Sequence, residues 1–177
     1  MQVENNLSKI KLIFALLFTV GLFLSSFAYA EAAQLFVNAE KSTISVGDVV
    51  RFRVGVNTEG AVINNGESTI KFPADIIQIV GIDTGSSIFD LWVSKPSFSN
   101  TNGTISFNGG VANPGFTGSN GTLFWITAKA KKVGVANLSL QSSFVRANDG
   151  LGTDILSSVR GTSVTITKPV EKPAETV

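Results

Sequence analysis

Apolar and polar residues alternate with a period of two along most of the sequence after residue 33, and this alternation limits the fold more than any other feature. A period of two places every second side chain on the same face of an extended strand, so one face can be buried while the other stays in water. In one clear run, Arg51 and Arg53 share the wet face. The opposite face of that run is apolar and consists of Val50, Phe52, Val54 and Val56.

Turn signals separate the alternating runs at short intervals. Asn-Gly pairs begin at Asn65, Asn102 and Asn120, and an Asp-Gly pair begins at Asp149. Such pairs are favoured in tight turns because they tolerate positive φ angles. Many short strands with this punctuation are typical of sandwiches and jelly rolls. We therefore predict an all-β fold, an antiparallel β-sandwich of the jelly-roll type with about nine strands.

The two ends of the chain differ from this central region. Lys9 and Lys11 precede an apolar stretch over 12–27, and a small-x-small site ends at Ala30. This order is typical of a secretory signal peptide, and the stretch is shorter than the roughly 20 residues of a membrane-spanning helix. An uncleaved N-terminal anchor is the alternative. The predicted division is a signal peptide (1–30), a sandwich domain (31–167) and a Pro-rich tail or linker (168–177).

The composition disfavours several classes of function. With 14 basic and 13 acidic residues, the chain lacks the strong positive charge that attracts nucleic-acid phosphates. It contains no histidine and no cysteine, which removes Ser-His-Asp and Cys-His catalysis, disulfides and the usual zinc ligands. Paired carboxylates, Asp83 with Asp90 or Asp149 with Asp154, are the remaining catalytic route, and no motif supports either pair. We predict that the protein is not an enzyme and does not bind nucleic acid.

Four segments, taken in order, resemble the bacterial cohesin domain. The first is AQLFVNAEKSTISVGDVVRFRVGV from residue 33, and the second is TIKFPADIIQIVGIDTG from residue 69. The third combines NGTISF from residue 102 with GTLFWITAKAK from residue 121. The fourth is VRANDGLGTDIL from residue 145. Each segment alone is common in sandwiches, but their order over residues 33–167 is more specific.

The resemblance implies a flattened jelly roll that is non-catalytic and binds dockerin modules through one face of the sandwich. It further implies attachment of proteins in a polysaccharide-related or cell-surface assembly. Together with the signal peptide, this predicts a chain that is secreted or displayed at the cell surface, and we expect a monomer. The partner is then a dockerin-type protein or a polysaccharide. Two alternatives stay open: a carbohydrate-binding module on the same fold and a structural surface spacer.

One strand face carries the candidate binding residues. If Phe124 faces the core, Trp125 points to the opposite side together with Thr127 and Lys129. An outward tryptophan can stack on a sugar or anchor a protein interface, although a crossing loop could also cover it. Arg51 and Arg53 on the wet face of one strand, with Thr69 and Lys71 on another, could form a polar recognition face, although solvated strand surface is the simpler explanation for such charges.

The segment that begins at Asn148 is a candidate calcium loop. Asn148, Asp149 and Asp154 offer oxygen ligands of the kind that Ca²⁺ prefers, and glycines between them allow tight curvature. The segment lacks the spacing of an EF-hand loop. The alternative is a β-turn held by Asx hydrogen bonds. We predict no other cofactor.

Overall fold

Extended strands and turns account for the regular structure in the computed structural model, which describes residues 32–169. The predicted signal segment 1–30 lies outside the described residues, as does most of the predicted tail. Eleven strands form within the described part: β1 (Ala33–Ala39), β2 (Thr43–Ser45), β3 (Val49–Asn57), β4 (Ile63–Lys71), β5 (Ile77–Asp83), β6 (Leu91–Ser99), β7 (Thr104–Gly110), β8 (Gly121–Ala130), β9 (Gly134–Ala147), β10 (Leu156–Arg160) and β11 (Thr162–Thr167). No helix in residues 32–169 is long and apolar enough to cross a membrane.

The strands form two sheets. The five-stranded sheet has the order β10-β1-β3-β8-β5, and the six-stranded sheet has the order β2-β11-β9-β4-β7-β6. The inner pairs are antiparallel, which confirms the predicted all-β sandwich. Two outer pairs, β1 with β10 and β11 with β2, are parallel. Their strands lie more than a hundred residues apart in the chain, so no local hairpin sets their direction. The short strands β2 and β10 help to raise the count from about nine predicted strands to eleven.

The core lies between the two sheets and is formed by the apolar side of each alternating run. Phe107 of β7 and Phe124 of β8 meet edge to face across it, with 5.0 Å between their ring centroids. Every buried side-chain nitrogen and oxygen in the described residues has a hydrogen-bond partner. The largest fully buried side chains are Phe52, Phe124, Leu35, Ile63, Ile70, Ile77, Ile79, Ile105, Leu123, Ile126, Leu138 and Ile166. This packing leaves two broad outer faces, one on each sheet, as the surfaces available for binding.

Candidate functional site

The five residues predicted for binding lie together on the outer face of the five-stranded sheet. Arg51 and Arg53 are on β3, and Trp125, Thr127 and Lys129 are on β8. The two strands are neighbours, and the register places Arg51 opposite Thr127 and Arg53 opposite Trp125. The alternation of β8 is as predicted, because Phe124 and Ile126 are buried while Trp125 faces outward. Whether these residues bind a ligand stays a prediction.

Trp125 is half-buried, and an arginine rather than a loop lies over its ring. The guanidinium carbon of Arg51 lies 4.4 Å from the ring centroid. Arg51 also approaches the carboxylates of Glu40 and Asp83, at 3.8 and 3.9 Å. The face of the ring against Arg51 is therefore occupied by a cation–π contact.

Phe36 of β1 is a second aromatic residue on this face, and its side chain is only 4% exposed. It lies against Gly55, where an added Cβ atom would come within 2.6 Å of the ring. Two arginines cover the ring from the solvent side, with Arg53 at 5.1 Å and Arg160 at 5.4 Å from its centroid. We call this outer surface, defined by Phe36, Trp125, Arg51, Arg53 and Arg160, the arginine face.

The outer face of the six-stranded sheet is organised around a hydrogen-bonded chain of side chains that crosses three strands. Arg146 of β9 donates to Glu67 of β4 at 2.9 Å. The second oxygen of Glu67 accepts a hydrogen bond from Asn108 of β7 at 2.6 Å. Asn65 then donates to the amide oxygen of Asn108 at 2.8 Å. Each polar group in this network restrains the next, so the centre of the face is a preorganised polar platform.

A bulge in β9 brings Phe144 onto the same face. Glu67 pairs with Phe144 and Thr69 pairs with Gln141, so β9 contains one more residue than β4 over this interval. Ser142 has a φ of 48°, in the left-handed region, as an inserted residue of a bulge can have. The shift in register turns Phe144 outward, where it is 39% exposed, and turns Val145 into the core.

The edge strand β6 adds exposed aliphatic groups next to this platform. Leu91 is 58% exposed and Val93 is 79% exposed. A shallow depression of about 400 Å³ lies between β6 and β9, with Ser106, Asn108 and Phe144 among its lining residues. We call this outer surface, defined by Glu67, Leu91, Val93, Asn108, Phe144 and Arg146, the Phe144 face.

Sequence reasoning missed the Phe144 face. Continued alternation from Leu138 and Leu140 would place Phe144 in the core, and only an inserted residue reverses this. The signal is the Ser142-Ser143 pair, which interrupts an otherwise regular apolar–polar pattern just before Phe144 and Val145. The network residues Glu67 and Asn108 carry no local signal, since their contact depends on the pairing of β4 with β7.

The three candidate calcium ligands lie in or next to the loop between β9 and β10, and their side chains form separate hydrogen bonds. Asp149 accepts from the backbone amides of Leu151 and Gly152 and from the hydroxyl of Thr153. Asp154 accepts from two other backbone amides, both at 3.1 Å. The side-chain amide of Asn148 donates to the oxygens of Asn113 and Pro114, both at 3.0 Å.

These bonds have an electrostatic consequence for one carboxylate. The hydroxyl of Thr153, followed by the amide of Leu151, holds the pKa of Asp149 below its ordinary value of 3.8. In residues 32–169, no group of three or more Asp and Glu side chains is placed to hold a metal ion. Calcium binding by Asn148, Asp149 and Asp154 stays a prediction, and calorimetric titration with calcium tests it.

The fold and its two outer faces define a β-sandwich module. The family model for the cohesin domain matches residues 34–167, and the chain therefore belongs to the cohesin domain family. This confirms the resemblance found in the sequence.

Solved structures have the same fold at low sequence identity. The seventh ScaB type I cohesin from Pseudobacteroides cellulosolvens is 21% identical, with a TM-score of 0.61, and the match covers 82% of this chain and 97% of that one. A type I cohesin–dockerin complex from Clostridium thermocellum matches at 14% identity and a TM-score of 0.64, covering 82% and 98%. A non-cellulosomal cohesin from Archaeoglobus fulgidus matches at 14% identity and 0.61, covering 77% and 92%. No curated protein matches the sequence.

Proposed function

We propose that this protein is a non-catalytic docking module that binds a dockerin-type protein partner through the Phe144 face. The observation that carries the proposal is the exposure of Phe144, Leu91 and Val93 beside a hydrogen-bonded polar platform. Protein interfaces combine a few apolar anchors with a surrounding polar surface that is already ordered before binding. The Phe144 face has both parts.

The arginine face is less suited to docking a protein. Its two aromatic rings, Phe36 and Trp125, lie under arginine side chains instead of facing a partner. A docking partner would have to displace these guanidinium groups before it could contact either ring. The comparison of the two faces therefore favours the six-stranded sheet as the docking surface.

Relatives of the same fold support the class of partner. Cohesins from Clostridium thermocellum were crystallised as type I cohesin–dockerin complexes. The absence of histidine and cysteine from the chain agrees with a role in binding rather than catalysis. We further propose that the module is exported, because residues 1–30 have the order of a signal peptide. It would act as a monomer in a polysaccharide-related or cell-surface assembly.

The test is calorimetric titration of the purified protein with a panel of dockerin modules from the source organism. We expect at least one dockerin to bind. Phe144→Ala is expected to weaken that binding by about tenfold or more, because truncation of an interface anchor costs at least about 1.4 kcal/mol.

The matched control is Lys129→Ala on the opposite sheet, which is expected to leave the affinity unchanged. The proposal fails if no dockerin binds. The assignment to the Phe144 face fails separately if Lys129→Ala, and not Phe144→Ala, abolishes binding.

A further inference from the structure

The four arginines of the described residues divide into two kinds. Arg51 forms ion pairs with Glu40 and Asp83, and Arg146 forms one with Glu67. Arg53 and Arg160 form no ion pair within residues 32–169. Within the same residues, their side-chain hydrogen bonds go to neutral oxygens: Arg53 donates to Asn120 and Thr122, and Arg160 donates to Asn38.

These two arginines belong to one small patch, because both guanidinium groups lie over the ring of Phe36. The ring of Phe36 cannot move closer to the sheet, since it already lies against the backbone at Gly55. A cation–π contact restrains each guanidinium group over the ring, which reduces the entropy lost when the side chain binds a ligand. The N–H groups that remain unbonded match the two oxygens of a carboxylate.

The side chains around the patch indicate what kind of molecule carries the carboxylates. Gln34, Asn38 and Ser158 lie on the neighbouring strands β1 and β10. All of them are neutral amides or a hydroxyl, which form hydrogen bonds with hydroxyl groups. A protein partner would need apolar anchors, and these positions offer none. A polysaccharide presents hydroxyl groups along its whole length.

Two acidic residues of this face lie next to Arg51, and a third, Glu59, lies beyond the end of β3 and accepts a hydrogen bond from Asn57. Asp83 belongs to β5, at the opposite edge of the five-stranded sheet from β10, and its carboxylate approaches Arg51. Glu40 also approaches Arg51. An anionic ligand over β10, β1 and the middle of β3 would therefore meet Arg53 and Arg160 and stay clear of the end of β3, where Glu59 lies.

We propose that the arginine face is a second binding site, which takes an acidic polysaccharide by pairing its carboxylates with Arg53 and Arg160. The site lies on the opposite sheet from the Phe144 face and does not depend on dockerin binding. The module would then hold a protein on one sheet and a carboxylated glycan on the other.

The test is calorimetric titration of the purified protein with polygalacturonate at low and high salt. Methyl-esterified polygalacturonate, which has the same backbone without the charge, serves as the comparison ligand. We expect binding of polygalacturonate that weakens with salt, and at least about tenfold weaker binding of the ester. The double variant Arg53→Gln/Arg160→Gln is expected to lose about tenfold or more in affinity for polygalacturonate.

The matched control is Lys71→Gln/Lys95→Gln, which removes the same number of positive charges from the other sheet. An equal loss of affinity in this control would show an effect of net charge alone and overturn the site. Absence of polygalacturonate binding at low salt would also overturn it. Binding of poly-glutamate as tight as that of polygalacturonate would reassign the site to an acidic peptide.

Two further variants separate binding from folding. Arg160→Gln changes an exposed side chain and leaves Arg53 over the ring of Phe36, so the variant is expected to unfold at a urea concentration only slightly below that of the wild type while binding more weakly. Phe36→Leu keeps both arginines and removes only the aromatic ring beneath them. It is expected to bind polygalacturonate less tightly than the wild type and more tightly than the double arginine variant. Unchanged affinity in both variants would contradict the proposal.

Discussion

The two outer faces of the sandwich differ in how far their aromatic rings are exposed to solvent. On the arginine face, Phe36 is 4% exposed under Arg53 and Arg160, although no strand among residues 32–169 covers it. On the Phe144 face, Phe144 is 39% exposed even though Arg146 lies 5.3 Å from its ring centroid. One face keeps its aromatic rings beneath arginine side chains, and the other presents an exposed aromatic ring beside a polar platform. The same fold thus offers surfaces for two different chemistries.

Backbone features produce this difference. Gly55 has no side chain, and Phe36 of the neighbouring strand occupies the space that a Cβ atom would fill. In β9, the bulge at Ser142 has the opposite effect, because it moves Phe144 from the core side to the outside. A glycine on one sheet and an inserted residue on the other therefore determine which ring is covered and which is available.

The largest expected difference between the faces is in stability. Phe36→Ala is expected to lower the free energy of unfolding by about 3 kcal/mol, as for other buried phenylalanines. Phe144→Ala is expected to lower it by less than about 1 kcal/mol, because its ring is already partly in water. Urea unfolding of the two variants measures both values. Equal losses of unfolding free energy in the two variants would contradict the conclusion that Phe36 is covered and Phe144 is exposed.

The ion pairs of the two faces are also expected to differ in how much they contribute to the free energy of unfolding. Glu67→Ala leaves Arg146 and Asn108 without their partner and is expected to cost about 1–2 kcal/mol in unfolding free energy. Glu40→Ala removes a 3.8 Å contact between exposed side chains and is expected to cost less than about 0.5 kcal/mol.

Urea unfolding in low salt measures the two costs. The conservative variant Glu67→Gln keeps the shape of the side chain and is expected to lose less stability than Glu67→Ala. A larger loss from Glu40→Ala than from Glu67→Ala would show that the ordered network is on the arginine face instead.

Removal of the arginine that covers Trp125 is expected to change the free energy of unfolding less than Phe36→Ala does, but to change the fluorescence of Trp125 clearly. In a Trp92→Phe background, Trp125 is the only tryptophan. Arg51→Ala removes the guanidinium above its ring, at a cost of about 0.5–1 kcal/mol, and should increase quenching of its fluorescence by acrylamide. Arg53→Ala is the control, since Arg53 lies over Phe36 instead. Unchanged quenching in Arg51→Ala would contradict the observed cover.

Sequence periodicity predicted the sandwich and the side of its strand on which each candidate binding residue lies, because alternation alone decides this. It grouped Arg51 and Arg53 with Thr69 and Lys71, which lie instead on β4 of the other sheet. It could not predict that Arg51 covers Trp125, since that contact joins two strands and requires their register. It also missed Phe144, whose direction depends on a single inserted residue. Local patterns thus give the face of a side chain, whereas neighbours across strands decide whether it is exposed.

The smallest expected effect concerns the loop that joins β9 of one sheet to β10 of the other. The pKa of Asp149 is lower in the folded protein than its ordinary value of 3.8, mainly because Thr153 donates to its carboxylate. A lowered pKa means that the charged form stabilises the fold at pH values above about 4 and that this contribution is lost as the pH falls through the folded-state pKa. Asp149→Asn should therefore lower stability slightly at neutral pH and make no difference in strong acid. Urea unfolding of both proteins across this pH range measures the effect, and a difference that grows as the pH falls would have the wrong sign. Because the loop joins the two sheets and belongs to neither outer face, the variant is also expected to leave ligand affinity at both faces unchanged at neutral pH.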